Sequence, residues 1–213
     1  IGPYSENIGF ARPEAAQGMF TTFSRVHNAM RNKLPLGIAQ IGKVMRNEIS
    51  PRQGPIRLRE FTIMELELFY DPQEPSCPIL DKDEVLRLVP EDFVAKKALE
   101  PLEVTVKEAL EKKFILSEWL AYFMVLAQKF IQELGISWDK QMFIAKLPQE
   151  RAHYASQVYD QVIKLEKWGW VEVSGHAFRT DYDLRGHMAS SGEDLRVFKQ
   201  LPSEVEVEEV EIK

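Results

Sequence analysis

Residues 44–69 read VMRNEISPRQGPIRLREFTIMELELF, two strand-like runs joined by a loop rich in proline and glycine. Leu36 to Ile49 and Arg57 to Tyr70 carry the strand signal, and SPRQGPI between them carries the turn signal, so a long β-hairpin is predicted. Along a strand, residues of one parity share a face. Val44, Arg46 and Glu48 point one way on the first strand. On the second, Arg57, Arg59, Phe61, Ile63, Glu65, Glu67 and Phe69 share a face, and Leu58, Met64, Leu66 and Leu68 line the opposite one, which is expected to be core. Charges on a central sheet are costly unless a ligand or partner groups pair with them. From periodicity alone two readings stay open, a ligand site or the solvated outer face of an antiparallel sheet.

Outward from the hairpin, Met19, Phe20, Phe23, Val26, His27 and Met30 fall at helical spacing behind Pro13, which predicts a helix over residues 15–31. DPQEPSCP (71–78) marks a boundary, and residues 81–134 are mostly helical in pattern. Trp119, Tyr122, Phe123, Leu126, Phe130 and Leu134 are assigned to packing. The apolar run Trp119–Ala127 is well short of the roughly 18 residues that read as membrane-spanning. Residues 150–167 read as another helix, WGWVEVSG (168–175) as a strand, DYDLRGHMASSGEDL (181–195) as a loop running into a short helix, and the ending PSEVEVEEVEIK as a strand with one charged face. Sheet alternating with helices defines an α+β fold. The expected division is a core part at 1–72, an inserted helical segment at 73–148, a return to the core at 149–195 and an acidic strand-like segment at 196–213.

At 213 residues, 45% hydrophobic and 28% charged, the chain is long enough for one large domain or one carrying an insertion, and its composition excludes collagenous and disulfide-dense classes. Its one cysteine, Cys77, allows no intrachain disulfide, and a reducing, cytoplasmic setting is expected. The first residues lack the order of a secretory signal. Net charge is −6. Residues 31–60 nevertheless hold seven basic side chains against Glu48 and Glu60, a local +5, while residues 203–213 set five glutamates against Lys213. A basic segment within an acidic chain suits an anionic ligand held at a site better than a nucleic-acid-coating surface. His27, His153, His176 and His187 show neither HxxxH nor HExxH spacing, so no protein-built metal site is expected.

The string 44–69 resembles motif 2 of the class II aminoacyl-tRNA synthetases, in which an Arg-x-Glu strand, a variable loop and an Arg-x-x-x-Phe strand form the ATP site. ARPEAAQGMF (11–20), AHYASQVYD (152–160) and WGWVEVSGHAFRTDYDLRGH (168–187) resemble three further segments of glycyl-tRNA synthetases of the homodimeric type, in the same order. The resemblance implies activation of glycine with ATP and Mg²⁺ and transfer to tRNA(Gly), by a homodimer with no membrane partner. It implies that Arg46 holds the α-phosphate and the attacking carboxylate, that Glu48 accepts from the adenine amino group, that Arg57 binds the γ-phosphate, and that Phe61 stacks on adenine. It further implies that Glu14 and Glu65 hold the glycine ammonium and Arg179 the glycine carboxylate. Geometry adds Arg52, at the loop tip, as a contact to the tRNA acceptor end, against a reading as a turn residue. Ala15 stands where the family commonly has threonine. Motif 1 is expected before Ile1, motif 3 beyond Lys213, and the anticodon-binding domain outside the chain. A catalytically inactive, synthetase-like nucleotide- or nucleic-acid-binding module is the alternative.

Overall fold

The computed structural model describes residues 4–49 and 54–199. Arg52 and the strand expected at the chain's end lie outside the described residues. The fold is α+β, with two sheets and five α-helices among the described residues. Helix α1 (Ala16–Ala29) leads into the antiparallel hairpin β1 (Leu36–Met45) and β2 (Glu60–Phe69), paired from Leu36↔Phe69 to Met45↔Glu60. The backbone N–H of Arg46 donates to the carbonyl of Arg59 at 2.9 Å, which carries the pairing one step beyond β1.

The predicted phase of the hairpin holds, and the expected inside and outside are exchanged. Ile41, Met64 and Leu66, on the face expected to be core, are 69%, 65% and 46% exposed. The opposite face is half-buried, and its end packs Leu36 and Phe69 against Ala16, Met19, Phe20 and Phe23 of α1. Phe69 meets Phe23 with ring centroids 4.5 Å apart. Alternation announces two chemically different faces. Which of them is covered is decided by where α1, the loop before it and the chain around Arg179 land.

Residues 73–148 are not mainly helical. They contribute β3 (Val85–Val89), β4 (Leu102–Thr105) and β5 (Gln141–Ala145) beside α2 (Glu91–Ala95), α3 (Val106–Glu111) and α4 (Glu118–Glu133). The stretch read as a helix at 150–167 is instead β6 (Gln157–Leu165), followed by β7 (Gly169–Phe178) and α5 (Tyr182–Ser191). These strands form one sheet in the order β4-β3-β5-β6-β7, antiparallel except for the parallel β3–β5 pair. The physical reason is burial on both faces. Leu86, Leu88, Val89, Phe143 and Tyr159 are fully buried, so these strands lose the alternation that identifies a half-buried strand. In β6, Val158, Tyr159, Val162 and Ile163 also fit helical spacing, and a bulge between Gln161 and Val162 breaks the two-residue period further.

Helices α3 and α4 start where the sequence offers caps: Thr105 accepts from the Glu108 N–H and Ser117 from the Leu120 N–H. Helix α4 buries Trp119, Leu120, Ala121, Met124 and Val125 against the sheet. Its Leu126, Phe130 and Leu134 turn outward and are about half exposed or more, so the assignment of that whole stripe to packing holds only for its inner part.

A polar chain runs through the apolar sheet. Gln128 donates from Nε2 to the Val85 carbonyl at 2.9 Å, Gln141 to the Gln128 carbonyl at 3.3 Å, and Gln161 to Gln141 Oε1 at 2.9 Å. Ser174 donates its single hydroxyl proton to Gln161 Oε1 at 2.8 Å, so His176 Nε2, 2.9 Å from that hydroxyl, is the donor of the last bond. Each glutamine is buried and each is satisfied, as a polar group in an apolar layer requires. The His176 ring meets Phe143 edge-on at 5.5 Å, and burial lowers its pKa to about 4. Unfolded, it titrates near 6.5. Between those values the unfolded chain binds a proton that the folded chain refuses, so stability falls as pH drops from 6.5 to 4. The expected loss is roughly 2 to 3 kcal/mol, measured by urea unfolding across that range, and His176→Gln should flatten the dependence.

Candidate active site

The segment before α1, the hairpin and the end of β7 converge on one cluster. Arg46 lies over the Phe61 ring, its guanidinium carbon 5.4 Å from the centroid, and its Nε donates to the Pro13 carbonyl at 3.2 Å. The hairpin arginine is thereby joined to the RPE loop. Arg12 adds to the join by accepting from the Met45 N–H at its carbonyl and donating from Nε to the Lys43 carbonyl. Arg57 pairs with Glu48 at 3.6 Å. Arg59 donates from Nε to the Glu48 carbonyl at 2.8 Å, a contact that shapes the backbone on which Glu48 is carried.

Beside this half lies an acidic pocket. Ala15 caps α1 without a side-chain hydrogen bond, and the Glu65 carboxylate accepts from its backbone N–H instead. An anion at a helix N-terminus is favoured by the exposed amides and the helix dipole. Glu65 is therefore both a cap and a neighbour of Glu14. Gln17, in the first turn of α1, donates from Nε2 to Glu14 Oε1 at 2.9 Å and to Asp183 Oδ1 at 3.3 Å.

Arg179 is held on every side. Its Nε and Nη2 form a fork to the two oxygens of Asp183 at 2.8 and 2.7 Å, and its Nη1 is 3.7 Å from Glu67. Tyr154 covers the guanidinium at 3.9 Å and Phe20 lies 5.2 Å away. The side chains of Arg179, Asp183 and Glu67 are only 13%, 7% and 18% exposed. Burial pushes the Glu67 carboxyl up to about 7, Arg179 pulls it down, and Asp183, Glu65 and Glu14 push it up again. Burial pushes the Asp183 carboxyl up, but the hydrogen bonds and charge of Arg179, the bond from Gln17 and the charge of His187 together hold it below the usual carboxylate range. Glu67 and Asp183 thus face Arg179, and Glu14 and Glu65 lie within electrostatic reach of Glu67, so the acidic groups outnumber the one arginine, a field that favours a further cation.

All of the described residues singled out from the sequence as ATP or glycine ligands fall in or beside this cluster. Sequence reasoning did not find Tyr154, Phe20, Gln17 and Asp183, which complete it. Asp183 was discoverable from its spacing of four from Arg179 on the way into a helix. Glu172 was also missed. Burial and Asp160 raise its pKa while Lys146, Arg57 and Arg46 lower it, which places it in electrostatic reach of both hairpin arginines.

The hairpin thus sets arginines and an aromatic ring beside an acidic pocket, an arrangement suited to an anionic group on one side and a cationic group on the other. No family model matches the chain. It is 48% identical over 97% of its length to the glycine-tRNA ligase of Aeropyrum pernix, 50% over 92% to that of Pyrococcus furiosus and 46% over its full length to that of Methanocaldococcus jannaschii. The chain belongs to the glycine-tRNA ligase family. It spans 35 to 38% of the length of these relatives, so it corresponds to part of such an enzyme.

Proposed function

We propose that this segment carries the ATP and glycine sites of a class II synthetase that activates glycine and transfers it to tRNA(Gly). The observation that carries the reading is the junction of Arg46 with the RPE loop, which sets a phosphate-binding arginine beside the carboxylates Glu14 and Glu65. The glycine carboxylate is already ionised at neutral pH and attacks the α-phosphate in line, so no general base is needed and catalysis consists of positioning and charge stabilisation.

In this reading Arg46 holds the α-phosphate and the attacking oxygen, Arg57 the γ-phosphate, Glu48 the adenine amino group, and Phe61 the adenine ring. Glu14 and Glu65 take the ammonium, and Arg179 takes the carboxylate. A guanidinium suits the phosphate because its planar fork donates two parallel hydrogen bonds; Arg179, whose Nε–Nη2 fork is given to Asp183, would meet the glycine carboxylate with its remaining Nη hydrogens. Mg²⁺ comes with ATP. It would bind chiefly through the nucleotide's phosphates. Arg52 is assigned to the tRNA acceptor end, and the whole enzyme to a cytoplasmic homodimer. Functionally, 1–72 and 149–195 make the catalytic core part, 73–148 the insertion and 196–213 the start of a further segment.

Glycine-dependent exchange of pyrophosphate into ATP, run on the full-length enzyme that carries this segment, tests the reading. Glu65→Gln is expected to raise the glycine KM more than Glu67→Gln, since Glu67 is occupied with Arg179. Equal or reversed effects would show that the wrong carboxylate has been assigned to the ammonium. Absence of any glycine-dependent exchange from the folded full-length enzyme would favour the inactive, synthetase-like module.

A further inference from the structure

Gln17 is a three-way node. Its Nε2 reaches Glu14 Oε1 at 2.9 Å and Asp183 Oδ1 at 3.3 Å, and its Oε1 lies 2.7 Å from His187 Nε2. Both hydrogens of the amide and one lone pair of its oxygen are committed. With Nε2 donating twice, Oε1 must accept, which makes His187 Nε2 the donor. The three partners come from two places far apart in the chain, Glu14 from the loop before α1 and Asp183 and His187 from successive turns of α5. Together with Tyr154 they line one cleft of about 370 Å³.

The consequence concerns spacing. Glu14 is one proposed holder of the ammonium, and Asp183 fixes Arg179, the proposed holder of the carboxylate, through a two-bond fork. In glycine those two charged groups sit on a single carbon, so the two holders must stand at one fixed separation. Among the described residues, Gln17 is the side chain that hydrogen-bonds both Glu14 and Asp183, which lie on different elements. We propose that Gln17 is a positioning residue that sets the distance between the ammonium-binding and carboxylate-binding sides of the glycine pocket. This role rests on the glycine-site reading above. His187 orients the amide by engaging its oxygen, so that both N–H groups face the two carboxylates.

The experiment compares Gln17→Ala, Glu14→Gln and the double variant in pyrophosphate exchange by the full-length enzyme. Loss of hydrogen bonds to charged groups is expected to raise the glycine KM of Gln17→Ala about ten-fold. The ATP KM should stay unchanged, which a general loosening of the fold would not allow. Because Gln17 acts through Glu14, adding Gln17→Ala to Glu14→Gln should raise the glycine KM by less than about two-fold. Gln17→Glu keeps the size, removes both donors and adds a fourth negative charge beside Glu14, Glu65 and Asp183, and should be worse than alanine. Additive effects in the double variant, or equal rises in the glycine and ATP KM values, would overturn the positioning role while leaving the glycine site in place. Absence of glycine-dependent exchange from the folded, unmutated enzyme would remove the site and the role together.

Discussion

Arg46→Ala is expected to lower glycyl-adenylate formation by about 10²- to 10³-fold, the usual effect of deleting one preorganised charge donor at a reacting centre. The side chain is preorganised in two ways. Phe61 supports the flat guanidinium from one side, and the bond from Nε to the Pro13 carbonyl fixes its rotation and leaves the Nη hydrogens for phosphate. Neither contact is to a buried charge, so the variant should fold. Exchange kinetics with circular dichroism on the same samples checks both halves of the expectation. Wild-type-like turnover in a folded variant would remove Arg46 from the chemistry. Arg46→Lys should recover little, since an ammonium on a flexible stem can neither lie flat on Phe61 nor fork to phosphate.

Arg179→Met is expected to cost about 3 to 5 kcal/mol of stability at pH 7, the range measured when one member of a buried ion pair is deleted. Asp183 loses both hydrogen bonds of its fork, and Glu67 loses the one nearby charge that lowers its pKa. Glu67 already carries a raised pKa, so its folded form binds protons more readily than the unfolded chain between pH 4.5 and 7. Without Arg179 that window widens upward. The variant should therefore be less destabilised at pH 5 than at pH 7, and Glu67→Gln added to it should recover part of the loss at pH 7. Urea unfolding of the unmutated protein, Arg179→Met, Glu67→Gln and the double variant at both pH values decides this. A destabilisation that is the same at both pH values would mean that Arg179 acts through packing on Tyr154 and Phe20 instead of through charge.

The hairpin and its phase were legible because alternation over ten-residue strands is a long signal, and because the ligand-type residues stand at fixed offsets on it. Helix α1 was legible from five apolar residues and His27 at helical spacing. β3, β5 and β6 were not, since a strand buried on both faces carries no alternation, and only its partners distinguish it from a short buried helix. The exposed Leu126, Phe130 and Leu134 show the converse: apolar spacing identifies a helical stripe without saying what covers it.

For the site, the sequence by itself determined which chemistry is available. Arg46, Glu48, Arg57 and Phe61 lie within sixteen residues of one hairpin, but only Phe61 falls inside a strand. The other three lie beyond the strand ends, where the Arg46–Arg59 backbone bond, the Arg59–Glu48 bond and the Arg57–Glu48 pair place them. By strand parity Glu65 and Glu67 are equivalent, being two residues apart on one face. The family resemblance singled out Glu65, and the tertiary structure gives the two different surroundings, the amide of Ala15 for Glu65 and the charge of Arg179 for Glu67. The Gln17 bridge to Asp183 spans 166 residues of chain. No local pattern encodes such a contact, because its distance is set by how α1 and α5 pack against the hairpin and not by the spacing of residues along any one element.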